Sequence, residues 1–256
     1  MPTHKRPHLL RRALSSIVAQ DFRNELEICV ISDVADPESD AVCAELLGAR
    51  DTYLKRSGTP GPSDSRNLGL SLINGRCVLF LDDDDAWHEG FLRGLYDSVE
   101  IAKGDAVYCD CSVVSERRIP PPAELLSETR LSMAGNLTEE VYVKNQVHMS
   151  CFAFPRELLS GLRFDPFMRA YEDWDFQLSV FDRMMPGHLP VLGSRVFEVH
   201  DDSTDRRGAS QKATDFNAVL DYLYVYRRHP APNEALRSKR AALLALCGMN
   251  VPAAML

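Results

Sequence analysis

Residues Cys77-Val78-Leu79-Phe80-Leu81 form an unbroken apolar run, and four aspartates, Asp82-Asp83-Asp84-Asp85, follow it directly. Such a run, bounded by polar residues, is typical of a β-strand that is buried on both faces. The predicted strand ends where the carboxylates begin. Because ligands of open α/β sheets bind beyond the carboxyl ends of the strands, the four aspartates are predicted to lie in a functional site.

The segments on either side alternate between strand-like and helix-like patterns. Predicted strands cover residues 28–31, 52–55, 77–81 and 106–109, and predicted helices cover about 7–18, 37–47, 63–73 and 88–102. This alternation predicts an α/β fold with a mostly parallel central sheet flanked by helices. The stretch from about 116 to 145 is irregular and predicts a loop-rich insertion. An apolar run at 151–154 and helices at about 172–185, 214–228 and 233–247 complete the pattern.

The composition is that of an ordinary globular domain, with 45% hydrophobic and 26% charged residues in a chain of 256. No apolar stretch approaches the roughly 18 to 20 residues of a membrane span, and no signal-peptide pattern follows the basic N-terminus, so we expect a cytoplasmic protein. The net charge of −8, without a basic block, argues against nucleic acid as a partner. The seven cysteines show no C-x-x-C pair, which favours buried, reduced thiols.

Two interpretations compete for the acidic run at residues 82–85. One or two of these aspartates could cap the following helix, whose N-terminus favours negative charge. Four in succession repel one another strongly unless a cation compensates them. Oxygen-rich sites of this kind suit Mn²⁺ or Mg²⁺. The spacing therefore favours a metal-binding turn over a purely structural one.

A second acidic cluster, Glu172-Asp173-Trp174-Asp175, lies at the start of a predicted helix. Complementarity to the helix dipole explains these carboxylates at least as well as catalysis does. Glu172 and Asp173 point in different directions on a helix, so at most one of them is expected to face a reacting group.

Two further residues carry weaker signals. His200 ends an apolar stretch and precedes a loop with Arg206, Arg207 and Lys212, which a bound pyrophosphate could order. Arg66, taken alone, is typical of a surface arginine on an amphipathic helix.

Seven segments match one known pattern in the same order. They are Pro2-Thr3-His4-Lys5-Arg6-Pro7, Leu9-Leu10-Arg11-Arg12-Ala13-Leu14-Ser15-Ser16-Ile17-Val18-Ala19-Gln20, Ile31-Ser32-Asp33-Val34-Ala35, Ser65-Arg66-Asn67-Leu68-Gly69, Phe80-Leu81-Asp82-Asp83-Asp84-Asp85-Ala86-Trp87, Glu172-Asp173-Trp174-Asp175 and His200. Together they resemble the family 2 glycosyltransferases, which have the GT-A fold and invert the anomeric centre. The resemblance implies one domain over residues 1–256: a nucleotide-sugar-binding, Rossmann-like half (about 1–110), an acceptor and catalytic half (about 111–212) and C-terminal helices (about 213–256).

The resemblance also implies roles for the matched residues. Those implied in nucleotide-sugar binding are Pro2, Thr3, Arg6, Asp33, Arg66, Asp82 and Asp83. The implied metal, Mn²⁺ or Mg²⁺, would be held by Asp84, with His200 as a second ligand. Asp173 would be the general base, with Glu172 beside it. The implied donor is a nucleoside-diphosphate sugar, with a UDP-sugar favoured, and the acceptor is a saccharide or a lipid-linked saccharide of a surface polysaccharide pathway.

The chain departs from the family pattern near the implied nucleoside pocket. In the family a buried strand precedes the Pro-Thr pair, whereas Met1 stands directly before Pro2. Ser32 replaces the first carboxylate of an Asp-Asp pair, and Val34 replaces a glycine. These changes bear on stability, nucleoside binding and nucleotide preference.

Other functions stay open on the sequence alone. A sugar-phosphate nucleotidyltransferase would be expected to carry a glycine-rich, basic phosphate loop near the N-terminus, where this chain has only residues 3–6. A dinucleotide-binding oxidoreductase would need a G-x-G-x-x-G motif after a strand, and the sequence has none. The non-enzyme alternative is a catalytically inactive GT-A-like binding or scaffold protein. The aromatic run at 216–228 predicts core packing, with dimerisation or weak association with the inner face of the membrane as alternatives.

Overall fold

A computed structural model describes residues 1–22, 25–119, 121–168, 170–200 and 216–256 of the chain. The strands are β1 (Pro2–Thr3), β2 (Cys29–Ser32), β3 (Thr52–Lys55), β4 (Cys77–Leu79), β5 (Ala86–Trp87), β6 (Val107–Arg117), β7 (Glu124–Leu131), β8 (Phe152–Pro155) and β9 (Gly187–Val199). The helices are α1 (Pro7–Val18), α2 (Pro37–Leu46), α3 (Pro62–Leu72), α4 (Phe91–Tyr96), α5 (Val99–Lys103), α6 (Glu172–Phe181), α7 (Phe216–Arg228) and α8 (Glu234–Leu246).

The strands form two sheets. In the first, β1, β2 and β3 run parallel, with Pro2 opposite Ile31 and Cys29 opposite Thr52. The second has the order β4-β8-β6-β9-β5, and β7 pairs with the outer half of β6. In it β6 and β9 are parallel, whereas the other pairs are antiparallel. The sheet is therefore parallel only in part, and not mostly parallel as the alternating pattern predicts.

Two hydrophobic clusters cover the two faces of the strands. In α1 the apolar residues recur every three or four positions, which gives a buried face that packs in one cluster with β2 and α4. The other cluster contains α6, α7 and the end of α8. Along β6, Val107 and Cys109 belong to the first cluster and Tyr108 to the second, as the alternation of side chains along a strand requires.

The predicted helix at 88–102 is in fact two helices, α4 and α5. Helix α4 begins after Gly90, whose φ of +76° is in the left-handed region that glycine tolerates. Ser98 separates the two helices, because its side chain accepts a hydrogen bond from the N–H of Ile101 and caps α5. The apolar residues keep a helical spacing across this break, so the spacing alone does not reveal where α4 ends.

The region predicted as a loop-rich insertion contains a β-hairpin. Strand β6 extends to Arg117, well beyond the predicted end at 109, and β7 returns antiparallel to it. All eight residues of β7 are exposed, so that strand has no buried face to produce an apolar alternation in the sequence.

A cavity of about 420 Å³ separates β2 from β4. It is lined mainly by apolar residues of α1, α3 and the two strands, and Ile17, Leu70 and Ile73 are among them. The N-terminal ammonium of Met1 donates a hydrogen bond to the carbonyl of Cys29 at 2.9 Å. Burial lowers the pKa of this ammonium.

Two further predictions concern residues far from the acidic run. All seven cysteines carry free thiols; five are buried, as predicted, whereas Cys77 and Cys247 are half-buried. Helix α7 packs into the core, where Val219, Val225 and Tyr226 are buried and Tyr226 lies edge-on to Trp174. Among the described helices, none is long and apolar enough to cross a membrane.

Candidate active site

The four aspartates lie at the wall of a polar cavity of about 290 Å³, beyond the carboxyl end of β4. The N–H of Asp85 bonds to the carbonyl of Asp82 at 3.2 Å, which closes the run into a tight turn that we call the acidic turn (Asp82–Asp85). The cavity is lined by Pro2, Arg6, Pro62, Arg66, Asp82, Asp83, Asp84, Asp85, His148, Glu172, Val196, Phe197, Glu198 and Val199. The structure thus brings together residues that are up to 197 positions apart in the chain.

The segment after β1 holds one side of the acidic turn. The guanidinium of Arg6 pairs with the carboxylate of Asp83 and, at 2.9 Å, with Oδ2 of Asp84. The hydroxyl of Thr3 donates to Oδ2 of Asp83 at 2.7 Å. Asp83 is 1% exposed, and its carboxylate contacts Arg6 and Thr3. Its role in binding the nucleotide sugar stays a prediction.

Arg66 holds the other side of the turn. It donates to Oδ1 of Asp82 at 2.7 Å and to Oε1 of Glu172 at 2.9 Å. The side chain is buried, so the interpretation of Arg66 as a surface arginine is wrong. Burial opposes the charge on Arg66, but Asp82 and Glu172 outweigh it and raise the pKa of the guanidinium. Arg66 therefore joins the acidic turn to the second acidic cluster.

These two arginines change the argument for a metal ion. Four adjacent carboxylates need counter-charge, and Arg6 and Arg66 supply part of it from within the protein. Carboxylate repulsion alone therefore does not require a metal ion. In the part of the chain that the structure describes, no group of three or more His, Cys, Asp and Glu side chains is arranged to hold one.

The buried Asp85 lies beside the partly exposed His148 in the lining of the cavity. Asp85 is 3% exposed, and its Oδ1 accepts the N–H of Phe197 at 3.0 Å. Nδ1 of His148 lies 3.6 Å from Oδ2 of Asp85. Burial raises the pKa of Asp85 to about 7, and the neighbouring Asp84 and Asp82 act in the same direction. Burial opposes protonation of His148, but the carboxylates around it prevail and raise the pKa of the imidazole.

Asp33 lies away from the cavity wall. Its Oδ1 is 2.5 Å from Nδ1 of His4, and its Oδ2 accepts the N–H of Gly61 at 2.8 Å. The carboxylate therefore ties the end of β2 to the segment before α3. Asp33 and Thr3 are both buried at the ends of neighbouring parallel strands, where the nucleoside pocket is predicted.

The two candidate catalytic carboxylates face different surroundings, as the helical geometry predicts. Glu172 lines the cavity and is paired with Arg66. Burial raises the pKa of Glu172, whereas Arg66 opposes that shift. Oδ1 of Asp173 accepts the N–H of Trp174 at 2.7 Å, and Asp173 is not among the residues that line the cavity. Tyr171, just before them, has a φ of +63°, a left-handed conformation unusual for a non-glycine residue.

His200 is the last described residue after β9. Its N–H bonds to the carbonyl of Glu116 at 3.0 Å, its side chain is exposed, and it does not line the cavity. The structure does not bring it next to Asp84, and its role as a metal ligand stays a prediction. The loop residues Arg206, Arg207 and Lys212 lie outside the described residues.

Two residues at this site are not among the candidates that the sequence analysis identified. Arg12 donates to the carbonyl of Asp84 at 2.5 Å and to Glu116 at 2.7 Å, and its guanidinium lies 3.5 Å from the ring centre of Phe197. His148 comes from the region predicted to be irregular. Arg12 could have been suspected as the polar residue within an otherwise buried helical face, but a lone histidine in a polar stretch carries no such signal.

Comparison with known proteins identifies what the chain resembles. Residues 1–160 match the family model described as glycosyl transferase family 2. The chain is similar to the succinoglycan biosynthesis protein ExoW of Rhizobium meliloti, with 31% identity over 260 residues that span 91% of this chain and 80% of the relative. It is also similar to the GalNAc(5)-diNAcBac-PP-undecaprenol beta-1,3-glucosyltransferase of Campylobacter jejuni, with 29% identity over 64% of this chain and 53% of the relative.

Solved structures share the fold. TarS 1–349 of S. aureus in complex with UDP-GlcNAc has a TM-score of 0.67, with 17% identity over 96% of this chain and 70% of that one. The mannosyltransferase PcManGT of Pyrobaculum calidifontis in complex with GDP-Man and Mn²⁺ has a TM-score of 0.57, with 17% identity over 99% of this chain and 76% of that one. At this identity the likeness concerns the fold alone, and it confirms the predicted GT-A-type α/β fold.

Proposed function

Because the chain belongs to glycosyl transferase family 2, we propose that it transfers a sugar from a nucleoside-diphosphate sugar to an acceptor hydroxyl, with inversion and with the help of a divalent metal ion. The family makes it a glycosyltransferase; the donor, the metal and the acceptor are the proposal. A UDP-sugar is the favoured donor, and structural neighbours in complex with UDP-GlcNAc and with GDP-Man make both bases worth testing.

The observation that carries the proposal is the acidic turn at the wall of a cavity that two buried arginines also line. Arg6 and Arg66 line the cavity with their guanidinium groups on either side of Asp82–Asp84. A diphosphate in this cavity would meet two fixed positive charges. The Rossmann-like half (about 1–110) would then hold the nucleotide, and residues about 111–212 would form the acceptor side.

The donor set of the acidic turn fits a hard divalent cation. The side chain of Asp84 is 28% exposed, and among the described residues only Arg6 bonds to it, through Oδ2. Its Oδ1 is thus open to a ligand, and carboxylate oxygens are the protein ligands that Mn²⁺ and Mg²⁺ take. Asp84 would hold the ion, with Asp82 beside it and His200 as the predicted second ligand. When bound, the ion supplies positive charge for the departing diphosphate.

The residues of the chain would perform the remaining steps. Asp173 would accept the proton of the acceptor hydroxyl as that oxygen forms a bond to C1 of the sugar. The bond between C1 and the phosphate oxygen breaks in the same displacement, and the nucleoside diphosphate leaves. A single displacement from the opposite face inverts C1 and needs no covalent nucleophile. Base catalysis of this kind contributes on the order of a hundred-fold or more to the rate.

The acceptor proposal rests on the relatives. The Campylobacter jejuni relative is named for an undecaprenol-linked substrate, and the Rhizobium meliloti relative for succinoglycan biosynthesis. We therefore propose a saccharide or lipid-linked acceptor in surface polysaccharide synthesis. A lipid-linked acceptor would place the enzyme at the inner face of the membrane as a peripheral protein.

The test is calorimetric titration of UDP and of GDP into the chain, each with and without Mn²⁺. Wild type, Asp84→Ala and the control Asp97→Asn are compared, because Asp97 is exposed and lies outside the cavity. We expect metal-dependent binding of one nucleotide to wild type and to the control, and its loss in Asp84→Ala.

Two results would contradict the proposal. Nucleotide binding that is unaffected by removal of the metal would refute the metal site. No binding in any condition, by a chain with a cooperative unfolding transition, would favour the inactive scaffold.

A further inference from the structure

His148 lies beside the acidic turn, just before a second strand of the sheet. It caps the short 3₁₀-helix Met149–Cys151, which leads directly into β8. Strand β8 runs antiparallel to β4, with Ala153 opposite Leu79, so the start of β8 lies beside the end of β4. The side chain of His148 is 37% exposed and lines the same cavity as the four aspartates. Its open edge therefore faces the cavity.

Contacts within the cap engage Nδ1 of His148 and leave Nε2 as the ring nitrogen that can meet a ligand. Nδ1 of His148 lies 2.7 Å from the hydroxyl of Ser150 and accepts the N–H of Ser150 at 3.4 Å. Nδ1 also lies 3.6 Å from Oδ2 of Asp85, and Nε2 carries a proton both in the neutral ring whose Nδ1 accepts and in the protonated imidazolium. No described residue forms a hydrogen bond with Nε2. His148 thus offers the cavity a single N–H donor in a fixed orientation.

The order of the strands indicates which part of a donor this N–H would meet. Thr3, at the end of β1, and Arg6 bond to the acidic turn, which follows β4, and His148 precedes β8, the strand that pairs with β4. A donor whose nucleoside lies near β1 and whose diphosphate lies at the acidic turn would place its sugar beside β8.

We propose that Nε2 of His148 donates a hydrogen bond to a hydroxyl of the transferred sugar, so that His148 recognises the sugar and not the nucleotide. This assignment rests on the proposed function, because it requires a nucleoside-diphosphate sugar in the cavity. It makes His148 a specificity-determining residue, in contrast to Arg6 and Arg66, which face the diphosphate.

The test separates binding of the sugar from binding of the nucleotide. UDP, UDP-glucose, UDP-GlcNAc, GDP and GDP-mannose are titrated, each with Mn²⁺, into wild type and three variants. In wild type the preferred nucleotide sugar should bind more tightly than its nucleotide. His148→Ala should weaken the nucleotide sugar by roughly 3- to 10-fold, the usual effect of one hydrogen bond, and change the affinity for the nucleotide by less than about 2-fold.

Two amide variants serve as matched controls. The side-chain nitrogen of Gln lies near the position of Nε2, whereas that of Asn lies near Nδ1. His148→Gln should therefore restore most of the affinity for the nucleotide sugar, and His148→Asn should not. A role of His148 in folding alone would not distinguish the two amides in this way, and thermal unfolding of each variant reports on folding directly.

The remaining outcomes contradict the assignment. Equal weakening of nucleotide and nucleotide sugar in His148→Ala would place the contact at the nucleotide. Equal affinity of wild type for a nucleotide and every nucleotide sugar tested, or no effect of His148→Ala, would show that no such contact exists. Failure of wild type to bind any nucleotide would overturn the proposed function itself, and this inference with it.

Discussion

At the scale of single residues, two arginines partly neutralise the acidic turn from two directions. Arg6 pairs with Asp83 and Asp84, and Arg66 pairs with Asp82 and Glu172. Each guanidinium is buried, where an unpaired charge would cost several kcal/mol. Loss of Arg6 would remove the guanidinium that pairs with the buried Asp83, and loss of Arg66 would remove the one that pairs with the half-buried Asp82 and Glu172. The same pairs keep the carboxylates and guanidinium groups at fixed positions before any ligand binds.

The contrast between Glu172 and Asp173 gives a prediction about the general base. Glu172 is held by Arg66 at 2.9 Å, so its role is predicted to be the positioning of that arginine. Asp173→Asn should lower kcat by roughly a hundred-fold or more, because it removes the proton acceptor, and leave donor affinity nearly unchanged. Glu172→Gln should instead weaken donor binding.

Steady-state kinetics and donor titration of both variants check this prediction. Asp97→Asn, on the exposed end of α4, is the control for a neutralised carboxylate elsewhere. A larger loss of kcat in Glu172→Gln than in Asp173→Asn would assign the base to Glu172.

Asp85 predicts a dependence of stability on pH. Burial raises its pKa to about 7 in the folded chain, against about 3.9 for an unfolded aspartate. The folded state therefore binds this proton more tightly, and its contribution to stability is complete below pH 4 and lost as the pH rises through 7. Between pH 5 and pH 8 the metal-free protein should lose on the order of 2 kcal/mol of unfolding free energy at this site.

Asp85→Asn removes that ionisation and should flatten the pH dependence. Urea unfolding of both proteins at pH 5 and pH 8, with chelator present, measures the difference. Oδ1 of Asp85 accepts the N–H of Phe197, and the amide oxygen of Asn can take over that bond. Identical pH slopes in the two proteins would show that Asp85 is ionised at pH 5.

At the scale of elements, hydrophobic patterning predicted most helices and several strands, and it missed β1 and β5, which are buried but only two residues long. The strand at 52–55 and the helices beginning near residues 7 and 37 were predicted within about one residue of their ends. Strand β7 was missed because all its residues are exposed. The break between α4 and α5 was missed because it depends on the capping side chain of Ser98 and not on hydrophobic periodicity.

The packing of α4 on β9 depends on a close approach at Gly193. A Cβ atom at this position would lie 2.8 Å from Cε2 of Phe91, whose ring is fully buried. Gly193→Ala should therefore destabilise the protein by about 1–3 kcal/mol, the usual cost of overpacking a core. Chemical denaturation gives the difference from wild type.

Two controls separate overpacking from a general effect of replacing glycine in β9. Gly187→Ala lies in the same strand and would place its Cβ in open space, so it should be nearly neutral. In a Phe91→Leu background, where the ring is absent, Gly193→Ala should cost less than it does in wild type. Equal costs in the two backgrounds would rule out the contact as the cause.

At the scale of the whole molecule, the candidate site is assembled from distant parts of the chain. The motifs identified Asp82–Asp84, Arg66 and Glu172 as site residues, and the structure brings them to one cavity. The sequence could not show that Arg66 bridges two acidic clusters, because Asp82 and Glu172 are 90 residues apart and their pairing depends on the fold. Nor could it place His148, whose position follows from the pairing of β8 with β4.

The charge of the molecule is unevenly distributed. Although the net charge is −8, Arg156 and Arg163 are exposed on a groove of about 590 Å³ between α3 and the segment after β8. Arg183 lies next to this groove, where it donates to the carbonyls of Leu158 and Ser160 at 2.8 Å. Within the described residues no carboxylate pairs with any of these three arginines. This basic surface, which also carries Glu157, is therefore one part of the described chain that an anionic bilayer would attract.

If the proposed peripheral location is correct, this basic surface should mediate it. Each arginine near an anionic membrane contributes about 1 kcal/mol, so binding should be weak and should fall steeply with salt. We expect the protein to sediment with phosphatidylserine-containing vesicles at low salt and much less with phosphatidylcholine alone. Arg156→Glu with Arg163→Glu should abolish sedimentation, whereas the same charge change at Lys103 and Lys144, which are exposed elsewhere, should reduce it only slightly. Equal losses in both double variants would mean that net charge, and not this surface, controls the association. If wild type does not sediment with the vesicles at all, the peripheral location is refuted.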